Sequence, residues 1–226
     1  MKNLFNVKRF TNYKIVLGLS YHRLGKREKN NPFHKLHTIS LFKFKLQIYI
    51  LQLFVKFVSL EDIKNFNLHW PINFFITFDD VSSSVLLIIN WLERKQIPYC
   101  LCPCESITKN NFSWRDKVHC INRYADNNII NKKISEIFGK NGLEKLNELG
   151  FYKFTKSPLY NSSQMINEIV DPLFQLIKEN ANKEFTGKFY INRKDIEKVS
   201  RNKSSTIANH SKSHFEMRNL SYEHIQ

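Results

Sequence analysis

The chain has 226 residues, enough for one large or two small domains with a core that stabilises itself. Its formal net charge is +15, spread along the sequence rather than gathered in a tail. A basic balance favours anionic partners, but no arginine-rich stripe or RNA-binding signature accompanies it, so we expect no nucleic-acid partner.

The apolar segments near the N-terminus do not predict export or membrane insertion. Residues 15–19 form an apolar stretch too short for a secretory signal, so we expect a cytoplasmic protein, with the cell envelope as the alternative. Residues 41–60 are more apolar but are interrupted by Lys43, Lys45 and Lys56. A bilayer span needs about twenty largely uninterrupted apolar residues, so no transmembrane segment is predicted. We expect this segment to lie in the core, the alternative being a membrane surface.

Short apolar runs alternate with helical patterns along the first hundred residues and again near the end. Residues 40–53 fit both periods, because Phe42, Phe44 and Leu46 alternate with polar residues while Ser40 can cap a helix. The alternation predicts an α/β fold with a parallel sheet. The predicted strands are residues 15–21, 57–60, 73–78, 97–101, 189–191 and 206–208, and the predicted helices flanking them are 85–92 and 193–199.

The strand signals stop after Pro103 and return only at Phe189. The interval contains three helical patterns, at residues 129–138, 142–149 and 165–180, and no clear strand. We therefore divide the chain into residues 1–104, a helical insertion at 105–185, and residues 186–226.

Four cysteines lie in the sequence, at Cys100, Cys102, Cys104 and Cys120. The C-x-C-x-C run differs from the C-x₂₋₄-C pair of a structural zinc site, so we expect reduced, buried thiols. If the run forms a strand, its three sulfurs share one face.

Two short motifs carry the chemistry. Asp79 and Asp80 follow the strand at 73–78, and His210 and His214 follow the last strand with a spacing of four. Because the carboxyl ends of parallel strands meet at one edge of a sheet, we expect the motifs to lie together. Two imidazoles and one carboxylate can hold a divalent metal with an open position for water, and the spare carboxylate can act as base. The alternatives are a solvated Asp-Asp turn and an exposed histidine pair.

These motifs resemble those of the polysaccharide deacetylase family, also called the NodB-homology domain. Residues 77–80, Thr-Phe-Asp-Asp, resemble its T-F-D-D-G motif, and residues 210–214, His-Ser-Lys-Ser-His, resemble its H-[ST]-x-x-H motif. Further matches to the family flank these motifs in the same order along the chain, at residues 19–23, 44–48, 58–62, 92–98 and 220–221. The match at 44–48 corresponds to a helix in the family, which favours a helix for residues 40–53.

The resemblance implies a distorted (β/α) barrel, here partial, and metal-dependent removal of acetyl groups from N-acetylated or O-acetylated sugars. It implies that Asp80, His210 and His214 bind a divalent metal, zinc being expected, and that Asp79 is the general base. The expected partner is an acetylated carbohydrate; the sugar, its linkage and the oligomeric state are left open.

Three departures separate the chain from the family pattern. Val81 stands where the motif has glycine, and residues 105–185 separate the two motifs by more than is typical. The chain ends soon after His214, without the later strands and the histidine that protonates the leaving amine. We therefore expect poor deacetylation. The alternatives are a truncated, non-catalytic remnant that retains metal or glycan binding, and a basic nucleic-acid-binding protein with an accidental histidine pair.

Overall fold

The structure is a computed structural model that describes residues 13–25, 37–105, 112–180 and 189–214. These residues form two compact units. The first contains the described residues up to 105 together with 189–210, and the second contains 112–180 and 211–214.

The first unit is built on a parallel sheet. Its strands are β1 (Ile15–Tyr21), β4 (Lys56–Phe57), β5 (Ile72–Asp79), β6 (Tyr99–Cys102) and β7 (Ser205–Ile207), while β2 (Arg23–Leu24) and β3 (Thr38–Ile39) form a separate parallel pair. The main order is β1-β5-β6-β7, and β4 pairs with the start of β5. The α/β prediction with a parallel sheet is confirmed; barrel closure stays a prediction.

The core of this unit lies around the end of β5. Ile76 and Phe78 are fully buried, as the continuous apolar run of this strand predicts for a strand covered on both sides. The ring of Tyr21 packs edge-on against Phe44 at a centroid distance of 4.8 Å. Ile88 and Leu92 of α3 (Leu86–Arg94) complete the same cluster. This packing holds the carboxyl ends of the strands in place.

The ambiguous segment at 40–53 is a helix, α1 (Leu41–Leu51), and Ser40 caps it by accepting a hydrogen bond from the Lys43 amide. Phe44 and Ile48 face the core and are fully buried. Residues 41–60, expected in the core, are buried only in part, because a second apolar set on this helix and just after it faces solvent. That set is Phe42, Leu46, Tyr49, Ile50 and Leu53.

Two predicted strands are shorter in the structure. The strand expected at 57–60 ends at Phe57, because Ser59 caps α2 (Leu60–Lys64) in a capping box with Asp62. The strand expected at 189–191 is reduced to a single antiparallel bridge between Tyr190 and Ser82. It leads into α9 (Arg193–Val199), whose end is followed by β7.

Among the residues that are described, the second unit contains helices joined by turns and no strand. Gly139, at φ 63°, divides the longest helix near the break predicted between 138 and 142. A salt bridge of 2.7 Å joins Lys117 to Asp171 within this unit. Its helices are α4 (Trp114–Tyr124), α5 (Asn127–Leu149), α6 (Phe151–Phe154), α7 (Ser162–Gln164), a π-helical turn (Met165–Val170) and α8 (Asp171–Asn180). In the described parts of the chain, no helix combines the length and apolarity that crossing a bilayer requires.

Candidate metal centre

Polar residues follow three neighbouring strands at the same edge of the sheet. Asp80 follows β5, Cys104 follows β6 after Pro103, and His210 follows β7. The strands are parallel and in register, with Asp79 opposite Cys102, so their carboxyl ends meet. Ligands of open α/β sheets bind at such ends. The sheet topology therefore brings the three side chains together in the first unit.

The three side chains lie close enough to share an ion. Asp80 Oδ1 lies 3.7 Å from His210 Nε2 and 3.8 Å from Cys104 Sγ. One potential ligand atom from each residue lies within 4.8 Å of the others. The side chain of Asp80 is 16% exposed and that of His210 is 32% exposed, while Cys104 is buried. The group is thus recessed but reachable from solvent.

The donor chemistry of this group suits a divalent metal. A carboxylate, a cysteine thiolate and a neutral imidazole are the three side-chain ligand types that zinc accepts. In a tetrahedral zinc site the neighbouring ligand atoms are about 3.4–3.7 Å apart. The two separations from Asp80 Oδ1 are within a few tenths of an ångström of that spacing. The group is compatible with a divalent metal.

Backbone hydrogen bonds hold the loops after β6 and β7 against each other. The Ala208 amide donates to the Leu101 carbonyl at 2.9 Å, and the His210 amide donates to the Pro103 carbonyl at 3.3 Å. The Cys104 thiol donates to the His210 carbonyl at 3.0 Å. The relative position of Cys104 and His210 therefore depends on contacts to the main chain of these two loops.

The loop after β5 is held in an uncommon backbone conformation. Asp80 has φ 55° and the following Val81 has φ 32°, both in the left-handed region. The Ile191 amide donates to the Val81 carbonyl at 3.2 Å, and the Ser83 amide donates to the Phe189 carbonyl at 2.9 Å. These contacts keep the turn in place and direct Asp80 toward His210.

Asp79 lies beside the ligand group and is not a member of it. The Ser20 hydroxyl of β1 donates to Asp79 Oδ2. The thiols of Cys100 and Cys102 lie 3.6 Å apart. The hydrogen bond with Cys100, together with burial and the Asp79 carboxylate, raises the pKa of the Cys102 thiol above its usual range. Cys102 therefore stays protonated beside Asp79.

His22 follows β1 and stacks on His37 with ring centroids 4.9 Å apart. Burial lowers the pKa of His22, the Asp80 carboxylate opposes this shift, and His37 adds to it. His22 is not a member of the ligand group.

His214, the other predicted ligand, belongs to the second unit. Its amide donates to Ser211 Oγ at 3.0 Å, and both residues have positive φ, so the chain turns sharply after His210. The Trp114 indole donates to the His214 carbonyl at 2.8 Å. That His214 binds the same ion stays a prediction from its spacing.

Sequence reasoning did not identify Cys104 as a candidate ligand. All four cysteines are reduced and buried, as expected, but only Cys100 and Cys102 lie in β6. Pro103 ends the strand, so the sulfur of Cys104 does not follow the alternation and turns toward Asp80. The signal was the proline within the run.

Comparison with known proteins adds no relative: the chain matches no protein-family model, no curated protein and no solved structure.

Proposed function

We propose that the protein is a metal-dependent hydrolase of the polysaccharide deacetylase type, which removes acetyl groups from N-acetylated or O-acetylated sugars. One observation supports this more than any other. Of two adjacent carboxylates at the end of β5, Asp80 joins a group of metal-binding side chains while Asp79 lies apart from it, bound by Ser20. That division of roles is what hydrolysis by a metal-bound water requires.

In this proposal the ion is divalent, zinc being the first choice. Asp80, Cys104 and His210 hold it. His214 is proposed as the fourth ligand from its spacing of four residues from His210. An ion bound there supplies a Lewis acid for the acetyl carbonyl and lowers the pKa of a bound water.

Asp79 is the general base of the proposed reaction. A carboxylate offers about four lone-pair positions, so the hydrogen bond from Ser20 leaves Asp79 able to accept a proton from water. Ser20 also fixes the orientation of the carboxylate, which a general base needs. The parallel sheet with its ligands at the strand ends fits a partial (β/α) barrel, the finer fold that we propose.

The metal centre can be tested apart from activity, with cobalt as the probe. We expect Co²⁺ to bind the full chain and to give the near-ultraviolet charge-transfer absorption of a thiolate ligand, since thiolate is the soft donor in the set. Cys104→Ser should remove that band, and Cys120→Ser, at another fully buried cysteine, should not. A band that survives in Cys104→Ser would exclude Cys104 as a ligand.

Activity is tested by acetate release from N-acetylated chitooligosaccharides and from an O-acetylated glycan. Asp79→Asn should abolish release, by at least about a hundredfold, and should retain cobalt binding. Glu136→Gln, which removes an exposed carboxylate from the second unit, should change neither acetate release nor cobalt binding. Metal binding without acetate release from either substrate would favour the non-catalytic remnant. The absence of metal binding would contradict both the hydrolase and the metal-binding remnant.

A further inference from the structure

The helix α1 has two apolar faces on opposite sides. At about 100° per residue, Phe44 and Ile48 point to one side of the helix, where they are fully buried. Residues on the other side fall within an arc of about 100° and are 44–74% exposed. We call this set the outer stripe; it consists of Phe42, Leu46, Tyr49, Ile50 and Leu53. The core explains the first face but not the second.

The outer stripe runs past the end of α1, because Leu53 lies two residues beyond Leu51. The Leu53 amide donates to the Ile50 carbonyl, and the Phe54 amide donates to the Leu51 carbonyl, so tight turns follow the helix there. Phe54 is 69% exposed and adjoins Leu53. Soluble proteins seldom expose several large apolar side chains side by side unless that surface binds something.

Lysines flank the outer stripe on both sides. On the helical projection Lys43 lies at one margin of the stripe and Lys45 lies at the other, and both are exposed. Lys56 follows within a few residues, and residues 40–60 contain no aspartate or glutamate. The aliphatic part of a lysine can lie along an apolar surface while its ammonium group reaches a charged one.

We propose that the outer stripe binds the surface of an anionic lipid bilayer. Large apolar and aromatic side chains beside lysines are two features of a helix that lies in the plane of a membrane; the face that is polar in such a helix is, in α1, the face buried in the core. Each lysine near an anionic surface adds attraction, and the net charge of +15 acts in the same direction. With eleven residues, α1 is about 16 Å long, too short to cross a bilayer.

A second copy of the chain fits the outer stripe less well. A two-fold contact through α1 would bring the lysines of both copies together, because the same surface faces itself. Residues 40–60 offer no carboxylate to pair with them. Charge therefore favours a lipid headgroup over a copy of the same helix. The inference does not depend on the proposed enzymatic activity.

The experiment measures co-sedimentation of the full chain with two kinds of vesicle, phosphatidylcholine alone and phosphatidylcholine with phosphatidylserine. We expect binding to the anionic vesicles only. The double variant Leu46→Gln/Tyr49→Gln should lower the bound fraction at least about tenfold, because it removes apolar area from the stripe. The matched control is the double variant Leu87→Gln/Leu159→Gln. These two leucines lie outside the outer stripe and are 64% and 65% exposed, so this variant should bind the vesicles as the unmodified chain does.

A second pair of variants tests the charge. Lys43→Glu/Lys45→Glu should lose anionic-vesicle binding, while Lys194→Glu/Lys198→Glu, with the same change in net charge on α9, should lose much less. Three results would each overturn the proposal: no binding to anionic vesicles, equal binding by the stripe variant and its control, or a dimer in solution that only the stripe variants dissociate.

Discussion

Val81 is a buried, β-branched residue with a positive φ, directly after a proposed metal ligand. Its side chain is fully buried and its φ is 32°. The left-handed region costs an ordinary L-residue about 1–2 kcal/mol, and a branched Cβ makes the conformation less favourable still. Strained backbone of this kind is tolerated where surrounding contacts over-determine it, often beside functional sites.

The strained backbone at Val81 predicts that a glycine substitution is more stable than an alanine substitution there, which is the reverse of the usual order. Both Val81→Ala and Val81→Gly lose buried methyl groups and should destabilise the protein. Elsewhere glycine is worse than alanine by about 0.5–1 kcal/mol, but at a positive φ it is the better residue. We therefore expect Val81→Gly to be more stable than Val81→Ala by about 1 kcal/mol, measured by urea unfolding.

Val85 is the control for this comparison, because it is equally buried and has an ordinary φ of −64°. There Val85→Ala should be the more stable of the two variants. The same order at both positions would mean that the backbone at Val81 is not strained.

The residues of the site differ in how visible they were in the sequence. Asp80 and His210 follow strands whose apolar runs could be recognised, so their common edge was predictable. Cys104 was not, because its direction depends on how Pro103 ends β6 and on a hydrogen bond to the His210 carbonyl. Such long-range contacts have no periodic signature in a single sequence.

The short helix α2 depends on its capping box. Ser59 Oγ accepts from the Asp62 amide at 3.0 Å, and the Ser59 amide donates to Asp62 Oδ2 at 2.9 Å. The helix has no buried residue, so these bonds contribute much of its stability. The hydrogen bonds from Ser59 hold the pKa of Asp62 below its ordinary value of 3.8.

Ser59→Ala should cost about 1 kcal/mol of unfolding free energy at neutral pH. Because the pKa of Asp62 is lower in the folded state than in the unfolded chain, the charged carboxylate stabilises the fold at pH values above its ordinary pKa of 3.8. That contribution is lost as the pH falls through the folded-state pKa. Urea unfolding at about pH 7 and about pH 3 should therefore show a smaller difference between the two proteins in acid. An equal difference at both pH values would show that the carboxylate is not involved.

The ends of helices and strands were predictable where a local residue type, such as a capping serine, determines them. They were not predictable where contacts with distant parts of the chain determine them. Ser40 before α1 correctly marked a helix start, and the gap between the helical patterns predicted at 129–138 and 142–149 contains Gly139, where the backbone leaves the helical conformation. The strand expected at 189–191 pairs through Tyr190 alone, because its partner is the turn at Ser82 rather than a strand. A local apolar run cannot reveal which partner it will meet.

At the scale of the whole molecule, the proposed ion joins the ends of three strands. Asp80, Cys104 and His210 come from the loops after β5, β6 and β7, so a bound ion stabilises the native sheet and not the unfolded chain. At a free concentration of about one hundred times the Kd, the gain is about 2.7 kcal/mol.

For a chain of this length that gain corresponds to a rise in Tm of about 5–10 °C. Zinc should raise the Tm of the unmodified protein, and excess chelator should reverse the rise. His210→Ala should show neither effect, while His69→Ala, outside the ligand group, should respond as the unmodified protein does. An equal response in His210→Ala would place the ion at a different site.

The pairing of β6 with β7 is the least local contact of the sheet, because residues 103–204 separate two strands that are neighbours. Closing so long a loop has an entropic cost that grows with its length, and such contacts form late during folding. β1, β4, β5 and β6 can pair on the growing chain before β7 has been synthesised. Metal uptake would then report that β7 has paired with β6.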